Sequence, residues 1–159
     1  MLSIQDSAAR SILEICVSGP VSQANRRTVI VIDDDAMMRK ALESVLDANG
    51  FEPLLFESGE AAISSDALET ATCIVTDIVL PGVSGFELCE LLTRRGHRLP
   101  IVFITAHDEA AVHAAAARAR AEALFIKPFS GRALVRTIQK IRDETDAAVG
   151  PLPANGDVE

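Results

Sequence analysis

Short apolar runs alternate with longer amphipathic stretches from Thr28 onward. Short runs rich in Val and Ile are typical of strands buried on both faces of a sheet, and apolar residues at helical spacing predict helices between them. Parallel strands need helical crossovers, so this alternation predicts an α/β fold, a doubly wound parallel sheet of five strands with helices on both faces. The predicted strands are 28–32, 51–56, 73–76, 101–104 and 123–126.

The stretches between the strands predict five helices. Asn49-Gly50 closes the first helix, because these residues favour the left-handed conformation that ends helices. Pro53 interrupts the second predicted strand, which favours a position at the edge of the sheet. The predicted helices are 36–48, 58–68, 84–95, 109–119 and a last helix from Ser130 through Ile141.

Both ends of the chain fall outside the alternating pattern. Residues 1–27 form an N-terminal extension in which apolar residues at helical spacing predict a short helix, and the pattern leaves open whether it is an interaction arm. Residues 28–142 form the predicted domain. Residues 143–159 are acidic and rich in Pro, Gly and Ala, and are therefore predicted to be a disordered tail.

Composition excludes several classes of function. The 159 residues carry a formal net charge of −8 and contain no Trp or Tyr, so neither a basic face nor stacking rings favour direct nucleic-acid binding. The apolar runs are too short to span a membrane, and the N-terminus does not resemble a secretory signal. The three cysteines show no metal-ligand or disulfide spacing, and the expected location is a reducing cytoplasm.

Polar residues follow four of the predicted strands at the point where each strand ends. They are Asp33 and Asp34, Asp77, Thr105 and Lys127. The carboxyl ends of parallel strands share one edge of the sheet, so these side chains should meet in one crevice. Neighbouring carboxylates repel one another, and a hard divalent cation with oxygen ligands would compensate them.

Simpler explanations exist for the individual residues. The run that starts at Asp33 could merely cap the helix that follows, a role that Asp35 fits well. Thr105 could be only the N-cap of the next helix, and Lys127 could be a solvated lysine at a strand end. The convergence of these residues favours a site over these alternatives.

Such a constellation suits phosphoryl transfer. Asp77 would act as the nucleophile and form an acyl phosphate, and Mg²⁺ on Asp34 and Asp77 would offset the carboxylate repulsion. Thr105 would donate a hydrogen bond to one phosphoryl oxygen, and Lys127 would pair with another.

Four motifs occur in one order along the chain: VIVIDDD, CIVTDIVLPGVSGFEL, IVFITA and FIKPF. With them, residues 28–142 resemble the response-regulator receiver domain of two-component signal transduction, in the CheY-like superfamily and with FixJ-type spacing. The resemblance implies a flavodoxin-like sheet with strand order 2-1-3-4-5. It also implies a phosphoprotein that takes an aspartyl phosphate on Asp77 from a sensor histidine kinase or a histidine phosphotransfer protein.

The resemblance further implies roles for single residues. Asp33, Asp34, Asp77 and the backbone carbonyl of Val79 would hold Mg²⁺. Thr105 would be the switch hydroxyl and Lys127 the family's invariant lysine, with a cis peptide bond before Pro128. The implied protein is a single-domain response regulator in a phosphorelay, not an enzyme, with a downstream protein target and a dimer through the helix 4–strand 5–helix 5 face.

Three features depart from the family pattern. Leu124 stands where the family usually has an aromatic switch residue, and Arg120 stands where a glycine is common before the fifth strand. The run from Ala114 to Ala117 leaves the fourth helix with Val112 as nearly its only large apolar anchor, so this helix should be weakly docked. Two explanations of that run are equally good: the sequence has simply drifted towards alanine, or the helix belongs to a surface that shifts readily to pass on the signal.

Two other functions fit parts of the sequence. A haloacid-dehalogenase-type phosphatase also uses Asp, Thr, Lys and Mg²⁺, and Asp33-x-Asp35 superficially resembles its first motif, but Met37 stands where that motif needs Thr or Val. A receiver fold that binds partners independently of phosphorylation is the other alternative, with Leu124 and Arg120 as its only support.

Overall fold

The computed structural model describes residues 27–149, so the predicted N-terminal helix and residues 150–159 lie outside the described residues. Strands and helices alternate through the described part of the chain. The strands are β1 (Arg27–Ile32), β2 (Phe51–Phe56), β3 (Ala71–Asp77), β4 (Ile101–Thr105) and β5 (Ala123–Ile126). The helices are α1 (Ala36–Ala48), α2 (Gly59–Ile63), a 3₁₀ turn (Asp66–Glu69), α3 (Gly85–Arg94), α4 (Ala110–Arg118) and α5 (Gly131–Val149).

All five strands are parallel and stand in the order β2-β1-β3-β4-β5, which confirms the predicted fold class. The strand that contains Pro53 lies at an edge of the sheet, as its sequence indicated. Among residues 27–149, no helix is both long enough and apolar enough to cross a membrane.

Side chains of each strand alternate between two apolar layers. In β1, Val29 and Val31 pack beneath α1 and α5, and Ile30 and Ile32 pack beneath α2, α3 and α4. All four are fully buried, and burying one such side chain stabilises the fold by about 1.5–3 kcal/mol. The strand is therefore fixed from both faces, and the residue after it, Asp33, has a fixed position.

The second predicted helix is two elements rather than one. The helix α2 ends at Ile63, and the 3₁₀ turn begins after Ser65. The Ser65 hydroxyl donates to the Ala62 carbonyl at 2.8 Å and accepts from the Ala67 N–H at 3.3 Å. A serine side chain that forms hydrogen bonds with the backbone before and after it competes with the hydrogen bonds of a helix. The predicted continuous helix 58–68 was therefore wrong.

The last helix continues past the predicted end of the domain. It reaches Val149, so the disorder predicted for residues 143–149 was wrong. The Thr145 hydroxyl donates to the Ile141 carbonyl at 2.8 Å, and Asp146 forms an ion pair with Arg27 at the start of β1. Tertiary contact of this kind can hold a polar helix that its composition alone would leave unfolded.

Helix α4 buries little apolar surface, in line with its alanine-rich sequence. Ala116 is its one buried residue within the described chain, and Val112 is partly buried. Its N-cap residue, Glu109, makes no capping hydrogen bond with its side chain. Few interactions therefore oppose a shift of this helix.

Helix α3 begins unusually close to the end of β3. A Cβ atom on Gly85 would lie 2.6 Å from the Asp77 carbonyl oxygen and 3.0 Å from the Ile78 Cα. The Gly85 N–H donates to the Ile78 carbonyl at 2.8 Å. Glycine at this position lets the helix approach the backbone of Asp77.

We expect Gly85→Ala to lower the free energy of unfolding by about 1–3 kcal/mol, because the added methyl group overlaps backbone atoms that cannot move aside. Gly59→Ala is the matched control, since its Cβ would meet its nearest neighbours at 3.7 Å and alanine is the better helix former. Urea denaturation of both variants checks the prediction. Equal midpoints for Gly85→Ala and the unmodified chain would contradict the close approach.

Arg120 has a φ angle of +56°, in the left-handed region that favours glycine. A non-glycine residue in this conformation lowers the free energy of unfolding by about 1–2 kcal/mol. Glycine would remove this strain, but it would also raise the conformational entropy of the unfolded chain, which offsets part of the gain. We therefore expect Arg120→Gly to stabilise the fold by about 0.5–1 kcal/mol. Arg118→Gly, which removes the same charge inside α4, should destabilise it by about 1 kcal/mol. Urea denaturation should show shifts of opposite sign, and shifts of the same sign would refute the assignment of strain to Arg120.

Candidate functional site

The polar residues at the strand ends form what we call the acidic crevice: Asp33, Asp34, Asp77, Thr105 and Lys127. In the parallel register Ile32 pairs with Thr76, so Asp33 and Asp77 follow at the same level of neighbouring strands. Carboxylate oxygens of Asp33, Asp34 and Asp77 lie within 4.8 Å of one another. Strand ends therefore bring together residues that are far apart in the sequence.

The ammonium of Lys127 lies between two of these carboxylates. Its Nζ donates to Asp77 Oδ2 at 2.8 Å and to Asp33 Oδ2 at 3.1 Å. The backbone holds the lysine as well, because its N–H donates to the Thr105 carbonyl at 2.7 Å. The peptide bond between Lys127 and Pro128 is cis. Lys127 is thus an internal counter-ion and not a solvated residue at a strand end.

The Lys127 pKa is raised above its usual value. Partial burial disfavours the charged ammonium and acts to lower the pKa, but the hydrogen bonds to Asp77 and Asp33 and the charges of these carboxylates together outweigh it. The lysine therefore keeps its positive charge at neutral pH.

Asp33 is fully buried, and burial raises the pKa of its carboxyl group. A hydrogen bond from the Asp35 N–H at 2.9 Å and the contact with Lys127 act in the opposite direction. Asp34, by contrast, is exposed at the mouth of the crevice. The two neighbouring acids therefore have different surroundings, and only one of them is open to solvent.

Asp35 caps α1 and stays out of the crevice. Its Oδ1 accepts from the Met37 N–H at 2.9 Å, which confirms the capping role inferred for this residue. The cluster of carboxylates includes Asp33 but not Asp35. An Asp33-x-Asp35 pair of the dehalogenase type is therefore not formed.

Asp77 is held from two sides. Its Oδ1 accepts from the Val79 N–H at 3.0 Å, and its Oδ2 faces Lys127. The side chain is still 11% exposed, so it can be reached from the crevice. Val79 itself is 58% exposed in the loop that follows β3.

Thr105 is buried at the end of β4, and its hydroxyl oxygen accepts from the His107 N–H at 3.1 Å. The N-cap of α4 is Glu109, so Thr105 is not the N-cap of that helix. Its backbone carbonyl accepts from the Lys127 N–H, so the ends of β4 and β5 are joined beside the crevice.

Leu124 does not belong to the crevice. It lies in β5 opposite Phe103 and packs, partly buried, in the layer beneath α3 and α4. The neighbouring Phe125 packs in the other layer, where its ring lies 5.6 Å from that of Phe129. The one aromatic residue of β5 therefore faces away from the position of Leu124.

Two supporting residues were missed in the sequence. Arg39 Nη1 donates to the Asp33 carbonyl at 2.7 Å, and Glu60 accepts from the Val83 N–H at 2.7 Å, which lowers the pKa of Glu60 and ties α2 to the loop after β3. The position of Arg39, one helical turn after the cap at Asp35, was the only feature of the sequence that indicated its contact with the end of β1. No pattern indicated the contact of Glu60.

The donor set of the crevice fits a hard divalent cation. Three carboxylates share one small volume, one of them is exposed, and Lys127 supplies a single positive charge against them. Carboxylate oxygens are the ligands that Mg²⁺ prefers, and Mg²⁺ commonly keeps several waters at one open side.

Comparison with known sequences agrees with this geometry. The sequence model of the response regulator receiver domain matches residues 29–139. The chain is 32% identical over 114 residues to the transcriptional regulatory protein TdiR of Thauera aromatica, covering 72% of this chain and 50% of that protein. It is 30% identical over 123 residues to the response regulator MprA of Mycobacterium sp. (strain KMS), covering 77% and 54%. The chain thus spans about half the length of the curated relatives it matches.

Solved structures show the same fold. The crystal structure of FixJ-N superposes with a TM-score of 0.65 at 28% identity, covering 75% of this chain and 95% of that one. The response regulator StyR gives a TM-score of 0.68 at 35% identity, covering 77% and 64%. Receiver domains are signalling modules of two-component systems and typically bind Mg²⁺ in an acidic pocket. By sequence, fold and site, the chain belongs to the response regulator receiver domain family.

Proposed function

We propose that the protein is a phosphoacceptor receiver that takes a phosphoryl group on Asp77 from a histidine kinase or a histidine phosphotransfer protein. The observation that carries the proposal is the position of Lys127, whose ammonium contacts both Asp77 and the buried Asp33. A cation held at one oxygen of a reachable carboxylate prepares a place for a charged phosphoryl group.

The proposed step is a displacement at phosphorus. A carboxylate oxygen of Asp77 attacks the phosphorus of a phosphohistidine, an O–P bond forms and the P–N bond breaks. The electron pair of that bond goes to the imidazole, which leaves as neutral histidine after taking up a proton. Lys127 and the Thr105 hydroxyl then each contact a phosphoryl oxygen, and the negative charge of the acyl phosphate is spread over these contacts.

Asp33, Asp34, Asp77 and the Val79 carbonyl would hold Mg²⁺, which when bound supplies positive charge next to the phosphoryl oxygens. Asp34 is the exposed member of the group and would meet the ion at the mouth of the crevice. The Val79 N–H already bonds Asp77, so the loop that offers the carbonyl is held to the same side chain.

The signal would leave the site through Thr105. The loop after this residue leads into α4, which buries only Ala116 among its described residues and lacks a side-chain cap. A pull of the Thr105 hydroxyl towards the phosphoryl group would move the start of a weakly held helix at small cost in free energy. The downstream protein target, a cytoplasmic setting and a dimer through the α4–β5–α5 face remain predictions.

Phosphorylation tests the proposal directly. With acetyl phosphate or phosphoramidate and Mg²⁺, the intact mass should increase by one phosphoryl group, and Asp77→Asn should abolish the increase. Asp35→Asn is the matched control, because it removes the same charge from a residue that only caps α1, and asparagine caps as well as aspartate. An unchanged mass in the unmodified protein, or equal labelling of Asp77→Asn, would disprove the role of Asp77.

Metal binding tests the acidic crevice separately. Mg²⁺ that binds only the folded state stabilises it by RT ln(1 + [Mg²⁺]/Kd), about 1.4 kcal/mol at ten times Kd. We expect millimolar Mg²⁺ to raise Tm and EDTA to reverse the rise. Asp34→Asn should reduce the rise, and Asp35→Asn should retain it. A Tm that does not respond to Mg²⁺, or an equal response in both variants, would count against this site.

A further inference from the structure

A groove of about 740 Å³ runs between α3 and α4, on a part of the domain that the acidic crevice does not use. Its walls come from Phe86, Cys89 and Thr93 of α3 and from Ala115 of α4, with Ala119 just beyond that helix. A second cavity of about 440 Å³ shares Cys89, Thr93, Ala119 and Arg120 with it, so the two cavities are neighbours.

The alanine-rich sequence of α4 explains why the groove is open. Ala115 and Ala119 present only methyl groups to α3, so no large side chain fills the space between the helices. The Cys89 thiol donates to the Ala119 carbonyl at 3.8 Å, which holds the two walls together at one point. The groove is thus a built feature of the α3–α4 packing.

Four arginines border the two cavities. Arg94, Arg118 and Arg120 border the larger one together with Glu90, and Arg98 and Arg120 border the smaller one together with Glu122. Within residues 27–149, Arg98, Arg118 and Arg120 have no carboxylate partner, and Arg94 has only an exposed contact of 3.7 Å with Glu90. Unpaired arginines are gathered here in a protein whose net charge is −8.

Helix ends account for part of this charge but not for all of it. Arg94 and Arg118 lie in the last turns of α3 and α4, where a cation is favourable to the helix dipole. Arg120 lies just beyond α4 in the left-handed conformation that commonly ends a helix: its N–H donates to the Ala117 carbonyl and the Ala121 N–H donates to the Ala116 carbonyl, both at 3.1 Å. Glycine would meet the same backbone requirement without strain, so the end of α4 does not explain why an arginine stands at this position.

We propose that the larger cavity, bordered by Arg94, Arg118 and Arg120 and called here the arginine groove, binds a nucleoside phosphate. Planar guanidinium groups bind phosphate oxygens in pairs, and the apolar part of the groove beside Phe86 suits a flat ring. The volume of the groove lies in the range of small-molecule sites, about 300–1,000 Å³.

The groove and the acidic crevice are separate sites. The smaller cavity reaches Pro100 and Ile101 at the start of β4, and the crevice begins at Thr105, where that strand ends. Ligand binding in the groove therefore does not rest on phosphorylation of Asp77, and Asp77→Asn should bind the same ligand with unchanged affinity. One wall of the groove is α4, the helix that would also respond to Thr105.

The test titrates the full chain with ATP, GTP, CTP and UTP by isothermal calorimetry, in EDTA so that no metal bridges the phosphates. At least one nucleotide should bind at near-physiological salt. The double variant Arg118→Gln with Arg120→Gln should weaken that binding at least tenfold. Arg132→Gln with Arg136→Gln removes the same charge from exposed positions of α5 and should leave the affinity within twofold. Absence of binding by all four nucleotides, or equal weakening in both double variants, overturns the proposal.

Three further variants separate a shaped site from general attraction of anions. Ala115→Leu fills the apolar part of the groove and should abolish nucleotide binding without changing the arginines; Cys89→Met fills it from α3 if the first variant lowers Tm. Arg120→Gly should raise stability and weaken nucleotide binding at the same time. Nucleotide binding that survives both filling variants, or an acidic peptide such as hexaglutamate that binds where nucleotides do not, overturns the assignment.

Discussion

The contact of one ammonium group with two carboxylates is the interaction on which this structure depends most. Lys127 comes from the end of β5, and Asp33 and Asp77 come from β1 and β3. Two acids at neighbouring strand ends would repel each other without it, and removing one partner of a buried ion pair typically costs about 3–5 kcal/mol. The same cation holds together one end of the sheet and lies against one carboxylate oxygen of Asp77. The contacts that join these strand ends are thus the contacts that shape the acidic crevice.

The packing of α3 connects this site to the rest of the domain. Gly85 lets the helix approach the Asp77 carbonyl, and Glu60 of α2 holds the loop between them at Val83. The backbone beneath Asp77 is thus fixed by glycine and by hydrogen bonds. On the same face of the sheet, α4 buries only Ala116 among its described residues and has no side-chain cap at its start. The domain consequently joins a firmly held backbone around Asp77 to a loosely held helix.

The sequence was informative where burial or chain direction determines structure. Runs such as Val29–Ile32 permit only a buried strand, and parallel strands bring their ends together, so the acidic crevice could be predicted. The supporting hydrogen bonds of Arg39 and Glu60 could not be predicted, because a long polar side chain near the surface can reach many different partners. Ser65 ended α2 through its own hydrogen bonds, and α5 extends through contacts that composition does not show. The φ angle of Arg120 is likewise set by the turn it occupies, although the missing glycine hinted at it.

The ion pair between Arg27 and Asp146 joins the start of β1 to the last helix, across 119 positions of sequence. Both side chains are about half exposed, at 46% and 47%. Exposed pairs of this kind contribute about 0–1 kcal/mol and weaken as the ionic strength rises. Ile138 and Ile141 are buried beneath the sheet, so the first half of α5 is held by apolar packing and its last turns by charge. High salt should therefore loosen the end of this helix while its beginning stays in place.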